Sequence, residues 1–275
     1  MFIINGGKRK MISIVISYSN KENFANVSTS IAETCGEVFE IIGVYNPGKY
    51  SIGEAYNSGR NQCQYPFLLF VHDDVRFLTE NWGKPFIEHL SDKNIGIIGI
   101  AGSNYVPAAP SGWFVAPETK VQTDKIKSKA LALDGVFLGI TSENFDKLKF
   151  DHNIPGFHGY DTDISLRAAK VFTNFVVTDI KIEHFSSGNP DKVWLDNNLY
   201  IRKKIGSNFQ NIYNIALEET AFLKFVSYYF KFYPFNINSI KKTLQFLPKN
   251  LGLSSYLKIM RLYLSFFKLR IIETL

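Results

Sequence analysis

Residues 11–18 read Met-Ile-Ser-Ile-Val-Ile-Ser-Tyr, a short apolar, β-branched run followed by Ser19-Asn20-Lys21. Such a run suits a strand covered on both faces. Asn20 is placed to cap a following helix that reaches about Thr34. A second run, Val38 to Tyr45, stops at the turn Asn46-Pro47-Gly48, and a helix carrying Glu54, Ala55 and Tyr56 leads into a third run, Pro66 to Val71. The fourth, Ile95 to Ala101, closes on Gly102-Ser103. Strand and helix alternate, which predicts a largely parallel sheet with right-handed crossovers. Ligands of such sheets sit beyond the carboxyl ends of the strands, so chemistry is expected just after Tyr18, Tyr45, Val71 and Ala101.

The 275 residues are enough for one large α/β domain with an appendage, and 45% hydrophobic against 20% charged residues excludes disorder, collagen and coiled coil. Cys35 and Cys63 are the only cysteines, so neither a disulfide framework nor a thiolate zinc site is expected, which suits a reducing, cytoplasmic compartment. Met1 to Ile4 precede the charges of Lys8, Arg9 and Lys10, the reverse of a secretory signal, so no export is expected. Asn94 to Pro117 is the longest charge-free run; its Gly and Pro residues argue against a membrane span.

Charge is uneven along the chain. Nine of the 31 Lys and Arg, but only Glu273 of the 25 Asp and Glu, lie beyond residue 220, leaving 22 basic against 24 acidic residues in the rest. The basic balance therefore describes an appendage, and no nucleic-acid platform is expected on the body. The reading divides the chain into a domain over 1–205 and a basic, aromatic-rich helical region over 206–275.

Three groups carry candidate chemistry. His72-Asp73-Asp74 follows the third strand; two adjacent carboxylates there need a cation or hydrogen-bond donors to stay ionised, which Mg²⁺ or Mn²⁺ carrying a phosphorylated ligand supplies. The alternative is a solvated turn in which Asp74 caps a helix. Phe157-His158-Gly159-Tyr160-Asp161-Thr162-Asp163 opens a helix, where one carboxylate can cap and another can act as general base. His184 ends an alternating strand through Val176, Val177, Ile180 and Ile182; beside Asp74 it would complete an oxygen and nitrogen set suited to Mn²⁺, and otherwise it is a packed residue.

Taken in order, ISIVISYSN, the helix with Ala55-Tyr56-Asn57-Ser58-Gly59, FVHDDV, IGIAGS, LDGVFLGI and FHGYDTDISLRA resemble the inverting family 2 glycosyltransferases. Within that family they are similar to the subgroup related to the streptomycin-biosynthesis protein StrF. The resemblance covers roughly residues 11–190 and implies the GT-A fold: α/β, Rossmann-like, with a mixed, mainly parallel sheet flanked by helices. It implies an Asp-x-Asp metal and diphosphate motif whose slots fall on His72, Asp73 and Asp74, with Asp74 as the direct metal ligand and Asp73 toward the donor. Asp161 takes the position of the base, with Asp163 as second choice, and Tyr160 stands where the family has Glu. Ser17, Tyr18 and Asn57 fall near the nucleotide donor. The nucleotide-binding Asp of the family is replaced by Tyr45-Asn46. Asp134 matches a residue beside the sugar pocket, and an Asp-Gly turn is the alternative. The long stretch from Gly102 to Lys129 reads as a lid or acceptor loop, in which Tyr105, Trp113 and Phe114 stack on a sugar or anchor the loop.

These expectations converge on metal-dependent transfer of a sugar, with Mn²⁺ or Mg²⁺, from a nucleotide-sugar to a glycan or lipid-linked glycan in bacterial surface polysaccharide synthesis. The rivals are a non-catalytic nucleotide-sugar-binding or assembly module and a metal-dependent phosphoester hydrolase. In the tail, Lys258, Arg261, Ser265 and Lys268 form one narrow polar face from Ser254 to Ile272, with Arg270 off that stripe. The crowded apolar remainder packs on the body or a second subunit, as in a homodimer, or lies in an anionic inner-membrane surface.

Overall fold

The computed structural model describes residues 11–113, 120–121, 125–186, 188–206, 209 and 213–273, with backbone only from 269 onward. Phe114, Ser187 and the side chains of Arg270 and Ile271 lie outside the described residues. The chain forms two compact units, one of residues 1–102 and 121–188, the other of residues 103–120 and 189–275.

The first unit is built on β1 (Met11–Tyr18), β2 (Val38–Tyr45), β3 (Phe67–His72), β4 (Val75–Phe77), β5 (Ile95–Gly99), β6 (Gly102–Ser103, where the chain leaves the unit), β7 (Lys127–Ala130), β8 (Ala132–Leu133), β9 (Phe137–Thr141), β10 (Thr173–Val177) and β11 (Ile182–His184). Its helices are α1 (Lys21–Thr34), α2 (Ile52–Arg60), α3 (Gly83–Leu90), α4 (Ser142–Leu148) and α5 (Tyr160–Ala168). Seven strands form one sheet in the order β2-β1-β3-β9-β5-β10-β7. β1 is parallel to β2 and β3, and β5 is parallel to β10, whereas β9 runs antiparallel between β3 and β5 and β7 runs antiparallel on the edge. Five strands thus share one direction, and the sheet is mixed and mainly parallel.

The period-two pattern explains the layers. Ile12, Ile14 and Ile16 of β1 and Leu69 and Val71 of β3 pack with Val27, Ile31, Trp82 and Phe86 on one face. Val15, Leu68 and Phe70 face the other side, against Tyr56, Phe145, Phe150 and Ile164. Both faces are covered, as the unbroken apolar runs require. Asn20 caps α1, its side-chain oxygen accepting from the amides of Glu22 and Asn23 at 2.8 and 3.3 Å, and Ser51 and Glu54 form a reciprocal capping box on α2.

One expectation is corrected. Val176 to His184 is not a single strand: β10 stays in the main sheet, residues 178–181 turn away, and β11 pairs antiparallel with β4 instead. In that ladder His184 stands opposite Val75.

The second unit contains α6 (Lys192–Ile205), α7 (Ile215–Phe232), α8 (Ile237–Leu244) and α9 (Leu253–Glu273), together with the 103–120 segment. Its core gathers Ala109, Leu195, Phe222, Phe225, Val226, Tyr229 and Ile259. A buried pair of charges holds the 105–109 segment within this unit. Arg202 donates to the carbonyls of Pro107 and Ala108, and Glu218 accepts from the Tyr105 hydroxyl at 2.8 Å and from the Ala108 amide. Among the described residues no helix is long and apolar enough to cross a membrane.

Candidate functional site

A cleft opens in the first unit at the carboxyl ends of β1, β2 and β3, lined by Ser17, Tyr18, Ser19, Asn46, Ile52, His72, Asp73, Asp74 and Phe157. Parallel strands end together there while the chain turns outward, so side chains and amides converge. Tyr18 stacks on Phe24 at 4.3 Å between ring centres and tilts against the exposed Tyr45 at 5.6 Å.

His72, Asp74 and His184 gather at the cleft, with one ligand atom from each lying within 4.8 Å of the others. The Asp74 carboxylate is 3.3 Å from His184 Nε2 and 3.9 Å from His72 Nδ1. The β4–β11 ladder makes this meeting possible, and the Phe185 amide ties to the Asp74 carbonyl at 3.1 Å. Two imidazoles and a carboxylate make a mixed nitrogen and oxygen set that could hold a divalent cation.

Tyr160 fixes the His72 ring. Its hydroxyl donates to the Gly135 carbonyl at 3.1 Å, and its oxygen lies 2.9 Å from His72 Nε2. A carbonyl only accepts, so the tyrosine proton is committed to it and His72 Nε2 must donate; in the neutral ring the lone pair is then on Nδ1, toward Asp74. Burial pushes the His72 pKa down and favours that neutral form. Gly135 allows the approach, because a Cβ there would stand 2.1 Å from the Tyr160 hydroxyl.

The carboxylates divide by environment. Asp73 receives the backbone N–H groups of Ser19 and Asn20, while burial and the neighbouring Asp74 charge raise its pKa. Asp161 accepts from the Gly135 amide at 3.1 Å and the Thr162 amide at 2.7 Å. Burial, then the charge of Asp134, lifts its carboxyl from 3.8 to about 7. Asp134 accepts from the Val136 amide at 3.0 Å, the turn that was its alternative reading, and Val136 in turn accepts from the His72 amide. The 134–136 turn therefore touches both the His72 strand end and the start of α5.

Two other candidates have partners within the first unit. Asp163 is fully buried and bonded to the Arg167 guanidinium at 2.7 and 2.8 Å. Asn57 spends both halves of its amide on the backbone of Phe150, accepting at 3.1 Å and donating at 2.9 Å. Trp113 is half-buried in the second unit. Sequence reasoning did not find the bridging role of Tyr160 or the lining roles of Asn46, Ile52 and Phe157. Asn46 is the first residue of the turn signal Asn-Pro-Gly, and its amide closes the loop by pairing with both backbone groups of Tyr50.

A model of the Glycosyltransferase-like family matches residues 13–214, and the chain belongs to that family. No curated protein matches the sequence. Among solved structures, GalNAc-T7 with UDP, GalNAc and Mn²⁺ superposes at a TM-score of 0.58 with 12% identity, over 86% of this chain and 54% of that one. This chain thus spans about half the length of that structure. S. aureus TarS gives a TM-score of 0.49 with 14% identity over 87% and 49% of the two chains, and A197 from STIV gives 0.41 with 14% over 64% and 86%. The fold is that of the GT-A glycosyltransferases.

Proposed function

We propose that the protein is an inverting, metal-dependent glycosyltransferase of the family 2 type, in the StrF-like subgroup, moving a sugar from a nucleotide-sugar to a hydroxyl acceptor. The observation that carries this reading is the gathering of His72, Asp74 and His184 at the strand ends, with Asp134 in the turn that touches His72 and Asp161 in the first turn of α5. A bound divalent cation, Mn²⁺ or Mg²⁺, would supply positive charge against the leaving diphosphate. His72 through Nδ1, Asp74 and His184 would hold it, and Asp73 and the Ser17-Tyr18 strand end would orient the donor. Asp161 takes the proton of the acceptor hydroxyl as its oxygen bonds to the anomeric carbon. The bond to the diphosphate breaks on the opposite face, which inverts the centre. A carboxyl poised near pH 7 suits that work, worth about 10²- to 10⁴-fold in rate.

UDP, GalNAc and Mn²⁺ in the GalNAc-T7 structure support a nucleotide-sugar donor and a divalent metal. The acceptor we infer is a glycan or lipid-linked glycan of bacterial surface polysaccharide, made on the cytoplasmic side of the membrane. The 1–205 domain carries the chemistry in this reading. Thermal shift of the full chain against nucleoside diphosphates, each with Mn²⁺ or chelator, tests it. A metal-dependent rise in melting temperature with one nucleotide is expected. No shift with any of them moves the function to an assembly module with a degenerate site.

A further inference from the structure

α9 is apolar on two faces: one packs inside its own unit, and the other is largely exposed, although its Phe267 ring reaches Phe235 at 6.4 Å. Ser255 and Ile259 are buried and Leu262, Tyr263 and Phe266 pack with them against the helical core. Leu253, Leu257, Met260, Leu264 and Phe267 follow one another at steps of four and three residues, which places them along a single stripe. All five are exposed, from 40% at Leu257 to 77% at Leu253, and Tyr256 beside them is 46% exposed. Lys258, Arg261, Ser265 and Lys268 form the adjoining stripe, all of them exposed; Lys258 pairs with Glu219 at 2.8 Å, so Arg261 and Lys268 are the stripe's cations offered to the headgroups.

We propose that this exposed stripe docks on an anionic lipid surface, with the helix lying in the plane of the interface. Large aliphatic and aromatic side chains would enter the acyl boundary while the neighbouring Lys and Arg reach the headgroups. Charge selects this occupant. Nine basic residues against one acidic beyond residue 220 complement an anionic surface, whereas a second copy of this chain would bring two strongly cationic regions together. The inference stands on the helical unit and not on the transfer chemistry, so either can fail without the other.

The test is flotation of the full chain with vesicles of phosphatidylcholine alone or with about 30% phosphatidylglycerol. Binding to the anionic vesicles, weakened by salt and scarcely detectable on the neutral ones, is the expected result, since each basic residue at such a surface contributes about fivefold. Leu257→Glu with Leu264→Glu should lower that binding by about tenfold or more, and Arg261→Glu with Lys268→Glu should lower it on anionic vesicles while the circular-dichroism melt stays unchanged. Both pairs replace exposed side chains, so folding is kept. Equal binding to both vesicle types, no binding to either, or undiminished binding of the Leu257/Leu264 variant overturns the proposal. So does a dimer in sedimentation that this variant dissociates while vesicle binding is absent.

Discussion

His72 Nε2 stands 2.9 Å from the Tyr160 hydroxyl, whose own proton is committed to the Gly135 carbonyl. That pair decides which imidazole nitrogen faces Asp74, and it makes Tyr160 a positioning residue for the proposed cation site. Tyr160→Phe should weaken Mn²⁺ binding by calorimetry about tenfold or more and cost about 1–3 kcal/mol of stability for the groups left unbonded. Gly135→Ala should weaken Mn²⁺ binding similarly, because its Cβ would displace the same hydroxyl. Unchanged affinity in Tyr160→Phe would remove the role.

For the cation ligands themselves, Asp74→Ala and His184→Ala should each abolish the Mn²⁺-dependent rise in melting temperature. His184 lies at the surface, with 31% of its side chain exposed, so its removal should leave the metal-free melt nearly unmoved. Retained Mn²⁺ stabilisation in both variants would dissolve the site.

Asp161 predicts a pH dependence with a definite sign. Its folded value, about 7, lies above the ordinary 3.8, so the fold holds the proton more tightly than the unfolded chain does. Its contribution to stability is therefore full below about pH 4 and lost as pH rises through about 7. The parent's melting temperature should therefore fall relative to that of Asp161→Asn as pH rises across that window. Turnover should rise through pH 7, where the base is freed, and Asp161→Asn should retain donor binding with turnover lost. A folded, active Asp161→Asn would exclude this base.

Asp163 should behave differently. Removing a fully buried carboxylate paired to Arg167 leaves that cation without its counter-charge, so Asp163→Ala should cost about 3–5 kcal/mol in denaturant unfolding. If the variant is as stable as the parent and merely inactive, Asp163 belongs to the chemistry instead.

The strand-helix alternation from Met11 to Val71 was legible because each element declares itself locally: an apolar run, an Asn20 cap, an Asn-Pro-Gly stop. His72 to Asp74 was legible for the same reason, lying at the end of such a run. The β4–β11 ladder was not, because Val75–Phe77 and Ile182–His184 are three-residue strands whose pairing depends on a distant partner. The resemblance implies a place near the donor for Asn57, and its amide pairs with the backbone of Phe150; nothing local in the sequence signals that pairing. Tyr160 looked like a substitution for an acid, and its bridging role emerges only when Gly135 comes within reach.

The off-sheet ladder makes the His72-Asp74-His184 group a clasp. Its two sides come from segments more than a hundred residues apart in the chain, and the three-residue strands that join them have little cohesion of their own. An ion held by both sides would seal the ladder against local opening, and opening would release the ion. Amide exchange in Val75–Phe77 and Ile182–His184 would then report the occupancy of the clasp, slowing together when the cation is added while the seven-stranded sheet keeps its own rate.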